Sequence, residues 1–204
     1  MSLLPELRRE ASERGLIDTD TILDASTVFA LVRDMPWSVT ADTLPETTLA
    51  TWRGHDACKH YLLRHLLYEL GYPSILMACT HEWSITSTPW AIDEPRAILD
   101  EGPVSDVHTF LRVKSDVGWD TVDATWPLAL AFLGFPVNKS FVPGREMRVT
   151  CDPEELYHIP ETADPEEFRR HLLDAHLDER GSGARKHRDR FRSSLERWIA
   201  EHSA

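Results

Sequence analysis

The chain has 204 residues, of which 34 are acidic and 22 basic, for a formal charge of −12. That length fits one domain burying its own core without disulfide staples, and the charge works against phosphate backbones and anionic lipid, so no nucleic-acid or membrane partner is expected. Apolar residues make up 42% and charged residues 27%, the balance of an ordinary soluble globular chain, and no apolar run approaches the length of a membrane span.

The start of the chain is charged and carries no continuous apolar stretch, so no secretory signal is expected. Cys58, Cys79 and Cys151 read as free thiols of a reducing compartment, which makes the cytoplasm the expected location. A helix is predicted over residues 4–14 and a second over 25–34, ending before Met35-Pro36. Residues 41–52 read as a loop followed by a short helix that Pro45-Glu46 opens.

The segment after Asp56 has the clearest pattern. Leu62, Leu63, Leu66, Leu67 and Leu70 make an apolar stripe of helical period, and Gly71 supplies the left-handed position that ends it. The helix is therefore expected in the core, with its N-terminus near residues 54–56. Residues 74–79 follow as a buried strand. Alternation predicts strands over 107–113 and 119–124, joined by the turn formers of 114–118 as a hairpin. With the turn centred on Ser115-Asp116, His108 is expected directly opposite Asp123, their Cβ atoms about 4.5–5.5 Å apart.

The last third reads as helical. Asp164, Pro165 and Glu167 offer an N-cap, a proline at the first helical position and an acid at the third. Phe168, Leu172 and Ala175 form a core face, and Gly181-Ser182-Gly183 breaks the run. A final helix turns Phe191, Leu195, Trp198 and Ile199 inward. The arginines of 185–197 read as its solvated face. Both helices are expected as cover for the sheet, without chemistry. The fold class is α+β, as a single domain over 1–204 with its core over about 32–150 and a helical extension over about 160–202.

Three pieces carry a family resemblance: Trp52-Arg53-Gly54 before a leucine-rich helix ending in Glu69-Leu70-Gly71-Tyr72, His108 on a strand, and Asp123 within Val122-Asp123-Ala124-Thr125-Trp126. In order and spacing they resemble the transglutaminase-like core of the papain-type superfamily. Lys59-His60 followed by Leu62-Leu63, together with Phe135-Pro136-Val137-Asn138, is similar to a bacterial group of such proteins. The resemblance implies a papain-like core helix packed on an antiparallel sheet and a cleft between them. It implies acyl transfer or hydrolysis at an amide or thioester. A thiolate at the helix N-terminus attacks, a histidine moves the proton, and an aspartate fixes the histidine's tautomer.

The position of that thiolate, fifteen residues before Gly71, is Asp56 here. Cys58 lies about 200° further round a regular helix. Three readings stay open. Asp56 works with His108 as an acid/base pair or as a carboxylate nucleophile, with Asp123 orienting the histidine. Alternatively, Cys58 is brought in by a distorted first turn, or the fold is a catalytically silent binding module. Asp56 can also be read as the N-cap of the helix, and His55, Asp56 and His60 as metal ligands. No metal and no cofactor is expected. His55, His81, Trp126 and Trp37 are the candidates to line a site for a small-molecule or peptide substrate, with Trp126 also fitting a core position beneath it. Oligomeric state is not legible.

Overall fold

The computed structural model describes residues 2–39 and 42–202; residue 41, where the predicted loop begins, lies outside the described residues. The chain opens with helices α1 (Leu4–Glu13), α2 (Ala25–Arg33), α3 (Pro45–Thr51) and α4 (Asp56–Glu69). Strand β1 (Ser74–Trp83) and helix α5 (Asp93–Asp100) follow, then the hairpin of β2 (Val104–Lys114) and β3 (Trp119–Val122). A 3-10 turn (Leu128–Leu133), β4 (Glu155–His158), α6 (Pro165–Glu179) and α7 (Ala184–His202) complete the order. The strands form a four-stranded antiparallel sheet, β3-β2-β1-β4. This is an α+β fold: an N-terminal helix, one antiparallel sheet and several flanking helices.

Helix α4 forms where the leucine stripe predicts it. Leu62, Leu63, Leu66 and Leu67 are buried against Leu7, Val28 and Val32, and against Leu76, Val107 and Leu111 of the sheet. Its end is a Schellman motif. Gly71 has φ +83°, its N–H donates to Tyr68 O (3.0 Å), and Tyr72 N–H donates to Leu67 O (2.9 Å). Helix α6 begins on the predicted cap, with Glu167 N–H donating to the Asp164 carboxylate at 2.8 Å.

The facing pairs of β1 and β2 on the other face of the sheet include Cys79 with His108, His81 with Asp106, and Trp83 with Val104. Its outer end belongs to a second core, where Trp83 and Val104 meet Trp37, Trp90, Trp126 and Phe135 with Phe191, Leu195 and Trp198 of α7. On α7 the solvated-face reading holds for Arg185, Arg190 and Arg197, which are exposed, and is corrected for two others. Arg188 and Arg192 are buried and reach Asp106, Nε to Oδ1 at 2.7 Å and Nη1 to Oδ2 at 2.9 Å.

The hairpin register also differs from expectation. Ser115 and Gly118 exchange backbone hydrogen bonds, so the turn centres on Asp116-Val117, and Leu111 pairs with Val122. A shift of two residues keeps every side chain on its predicted face. It moves Asp123 from a position directly opposite His108 to a diagonal one, just past the end of the ladder.

Candidate active site

The site begins with the approach to α4. Gly54 N–H donates to Pro36 O at 3.1 Å, and a Cβ on Gly54 would stand 2.5 Å from the Cys58 Cβ. Only glycine lets the loop run this close to the first helical turn. The N-cap is His55, whose Nδ1 lies 3.3 Å from Ala57 N and 3.3 Å from Asp56 Oδ1. The reading of Asp56 as N-cap is thereby corrected: Asp56 is the first helical residue, and its side chain points into the protein.

Asp56 Oδ2 accepts the Thr109 N–H at 2.8 Å. Strand β3 has ended by this level, so the carboxylate satisfies a β2 amide that the ladder leaves free. The same oxygen lies 3.8 Å from His108 Nδ1. The other ring nitrogen, His108 Nε2, is 2.8 Å from Asp123 Oδ2. Asp123 is held in turn by Thr125, whose N–H (3.0 Å) and hydroxyl (2.7 Å) donate to Oδ1. Thr150 N–H (2.9 Å) and hydroxyl (3.0 Å) donate to Oδ2. The three side chains are enclosed: Asp56 is 4% exposed, His108 4% and Asp123 1%.

The Lys59-His60 pair has a structural reason. Lys59 Nζ donates to Arg33 O (2.8 Å) and Thr125 O (2.9 Å). His60 Nδ1 donates to Asp56 O (2.7 Å), and its Nε2 accepts Ala124 N–H (2.8 Å). The first turn of α4 thus grips the segment that carries Asp123. With both ring nitrogens engaged, His60 is fixed as a neutral tautomer, and this corrects the metal-ligand alternative for His55, Asp56 and His60.

Electrostatics follow from burial and charge. Burial pulls His108 down, but the carboxylates of Asp123 and Asp56 outweigh it and lift its pKa to about 10. Burial pushes Asp56 and Asp123 up; neighbouring histidines, His108 foremost for Asp123, hold both below the usual carboxylate range. Near neutral pH the centre is an imidazolium between two carboxylates. Burial lowers His60 and His81 to about 4 and Lys59 to about 7.

The Cys58 thiol is turned toward α3. Its Sγ lies 3.8 Å from Asp42 O and beside Gly54, and burial pushes its pKa up to about 12. The thiol beside the imidazole is Cys79, the ladder partner of His108, with Cys151 Sγ 3.6 Å from its own. Both escaped the sequence reading of the site, because only the β1–β2 register reveals which residue faces His108. His81 stands edge-on to His108, ring centroids 6.1 Å apart. Trp37 and Trp126 lie against each other (5.6 Å) within the second core, and the Trp126 indole N–H has no hydrogen-bond partner among the described residues. A groove of about 700 Å³ lined by Leu44, Tyr61, Tyr68, Ile75 and Trp119 includes none of Asp56, His108 and Asp123. In comparisons with known proteins, the chain matches no family model, no curated protein and no solved structure.

Proposed function

We propose that the chain is a transglutaminase-like enzyme of papain-type fold in which Asp56 occupies the nucleophile position and acts on an amide or other acyl centre of a small molecule or peptide. One observation carries this reading: the His108 ring joins Asp123 at 2.8 Å through Nε2 and faces Asp56 at 3.8 Å through Nδ1. A carboxylate held below its usual pKa is a poor base but stays ionised, as a carboxylate nucleophile must. Its oxygen attacks the acyl carbon. The leaving group departs with the proton of the His108 imidazolium, leaving a mixed anhydride on Asp56. Neutral His108 then takes a proton from water, the hydroxide attacks the acyl carbon, and the Asp56 carboxylate is released. An imidazolium with a pKa near 10 is matched to a leaving amine. The positive end of the α4 dipole favours negative charge at this corner.

A second reading, a catalytically silent binding module, is favoured by the enclosure of the three side chains and by the use of Asp56 Oδ2 to cap Thr109 N–H. The two are separated by offering amide, ester and thioester acyl donors with hydroxylamine as acceptor and measuring hydroxamate. Asp56→Asn and His108→Gln are each expected to lose at least about 100-fold in turnover, while Cys58→Ala retains it. Loss confined to Cys58→Ala restores the thiol reading. Absence of transfer from every donor, with Asp56→Asn altering stability alone, establishes the silent one.

A further inference from the structure

Cys79 and Cys151 have no part in the acyl chemistry above, yet their sulfurs lie 3.6 Å apart beside its histidine. Cys79 is fixed in β1 opposite His108. Cys151 is half-buried in the irregular stretch before β4 and follows directly on Thr150. We infer that Cys79 and Cys151 form a thiol–disulfide switch, closed by a peroxide and reopened by a dithiol, that changes how firmly His108 holds its proton.

The chemistry balances. One thiolate attacks a peroxide oxygen, so that an S–O bond forms and the O–O bond breaks. The second sulfur then displaces the new hydroxyl group, which leaves as water, and the S–S bond forms. The thiols lose two electrons and two protons, and hydrogen peroxide becomes two waters. Closing to a bond length of about 2.0 Å needs an approach of roughly 1.6 Å, which the irregular backbone at Cys151 can supply. The half-buried Cys151 gives the oxidant an entry that the buried Cys79 lacks. The Cys79 thiol is made more acidic by its hydrogen bond with Cys151 and, against the cost of burial, by the charge on His108. Cys58 has neither advantage.

The connection to His108 is short. Thr150 donates two hydrogen bonds to Asp123 Oδ2, the oxygen that also holds His108. Drawing Cys151 toward Cys79 displaces Thr150 from that carboxylate. The ionisable groups facing His108 are Asp56 and His60 from α4, Asp123 beyond β3, and His81 and Cys79 from β1. Of these, oxidation removes the negative charge available to Cys79 and loosens the seat of Asp123. The lost charge weakens the hold on the proton, as does an Asp123 carboxylate no longer kept against the imidazole.

The test uses the full chain, reduced with dithiothreitol or oxidised with hydrogen peroxide. It reads peptide linkage by mass spectrometry and the His108 titration by NMR. Oxidised wild type and Cys58→Ala are expected to yield a Cys79–Cys151 peptide that dithiothreitol opens, with the His108 midpoint lowered by at least about half a pH unit. Cys151→Ser, with Cys79→Ser as the second variant, keeps its midpoint through peroxide treatment. Wild type whose two sulfurs stay unlinked overturns the inference, as does linked protein with an unmoved midpoint. Neither readout involves turnover, so a failed acyl-transfer screen leaves this result intact.

Discussion

At the level of single residues, the mouth of α4 leaves little freedom. Gly54 brings the approach loop against Cys58, and an added methyl would meet the Cys58 Cβ at 2.5 Å. Gly54→Ala is therefore expected to cost about 1–3 kcal/mol in urea unfolding. Cys58→Gly in the same chain should recover part of that loss, because it removes the colliding atom; strictly additive effects would refute the collision. The convergence of His108 and Asp123 was legible because each falls in an alternating stretch of the sequence and a short turn joins the two, although Asp123 itself lies just past the end of β3. Asp56 was placed by counting back from Gly71. Its hydrogen bond to Thr109 was not legible, since it depends on where β3 stops. Cys79 was hidden for a related reason: one strand's alternation gives a residue's side of the sheet, and only the neighbour's register gives its partner.

Among the elements, those with a strong local signal followed the sequence. The leucine stripe of α4 and the Asp164-Pro165 start of α6 combine period with a cap. Strand β4 is short, at an edge and largely exposed, so it shows no apolar alternation; α5 was likewise not anticipated. Helix α7 lies where the sequence places it, with Arg185, Arg190 and Arg197 exposed as expected, but Arg188 and Arg192 are buried. The counter-charge for Arg188 and Arg192 is Asp106, more than 80 residues earlier. Composition cannot disclose a partner that only the packing of α7 on β2 brings near. This buried triad yields a test of that packing. Asp106→Asn strands two guanidinium groups without a full counter-charge and is expected to cost about 3–5 kcal/mol in urea unfolding. Replacing both arginines by Met in the Asp106→Asn chain should recover much of it. A loss below about 1 kcal/mol for Asp106→Asn would mean that α7 docks without the triad.

For the molecule as a whole, two opposed titrations govern alkaline stability. The pKa of His108 is raised to about 10, so its stabilisation is complete below its unfolded value near 6.5 and is lost as pH climbs through 10. That of Lys59 is lowered to about 7, so its burial costs stability at low pH and the cost fades as pH rises from 7 toward 10.5. The slopes nearly cancel, and wild-type unfolding free energy should be almost flat from about pH 7 to 9. Lys59→Met should expose a fall of about 1.4 kcal/mol per pH unit, and His108→Gln a rise of similar size. Equal slopes in all three proteins would show that these charges are not arranged as described. On the acid side, His60 and His81, both lowered to about 4, should erode stability as pH drops from 6.5 toward 4. The second core has an optical consequence as well. It gathers Trp37, Trp83, Trp90, Trp126 and Trp198, five of the chain's seven indoles, with Trp83, Trp90 and Trp126 about 6 Å apart, centre to centre. At such separations their excited states couple, so ultraviolet emission and near-ultraviolet dichroism report chiefly on whether the final helix is seated, and Trp52 is left to speak for the leucine half of the protein.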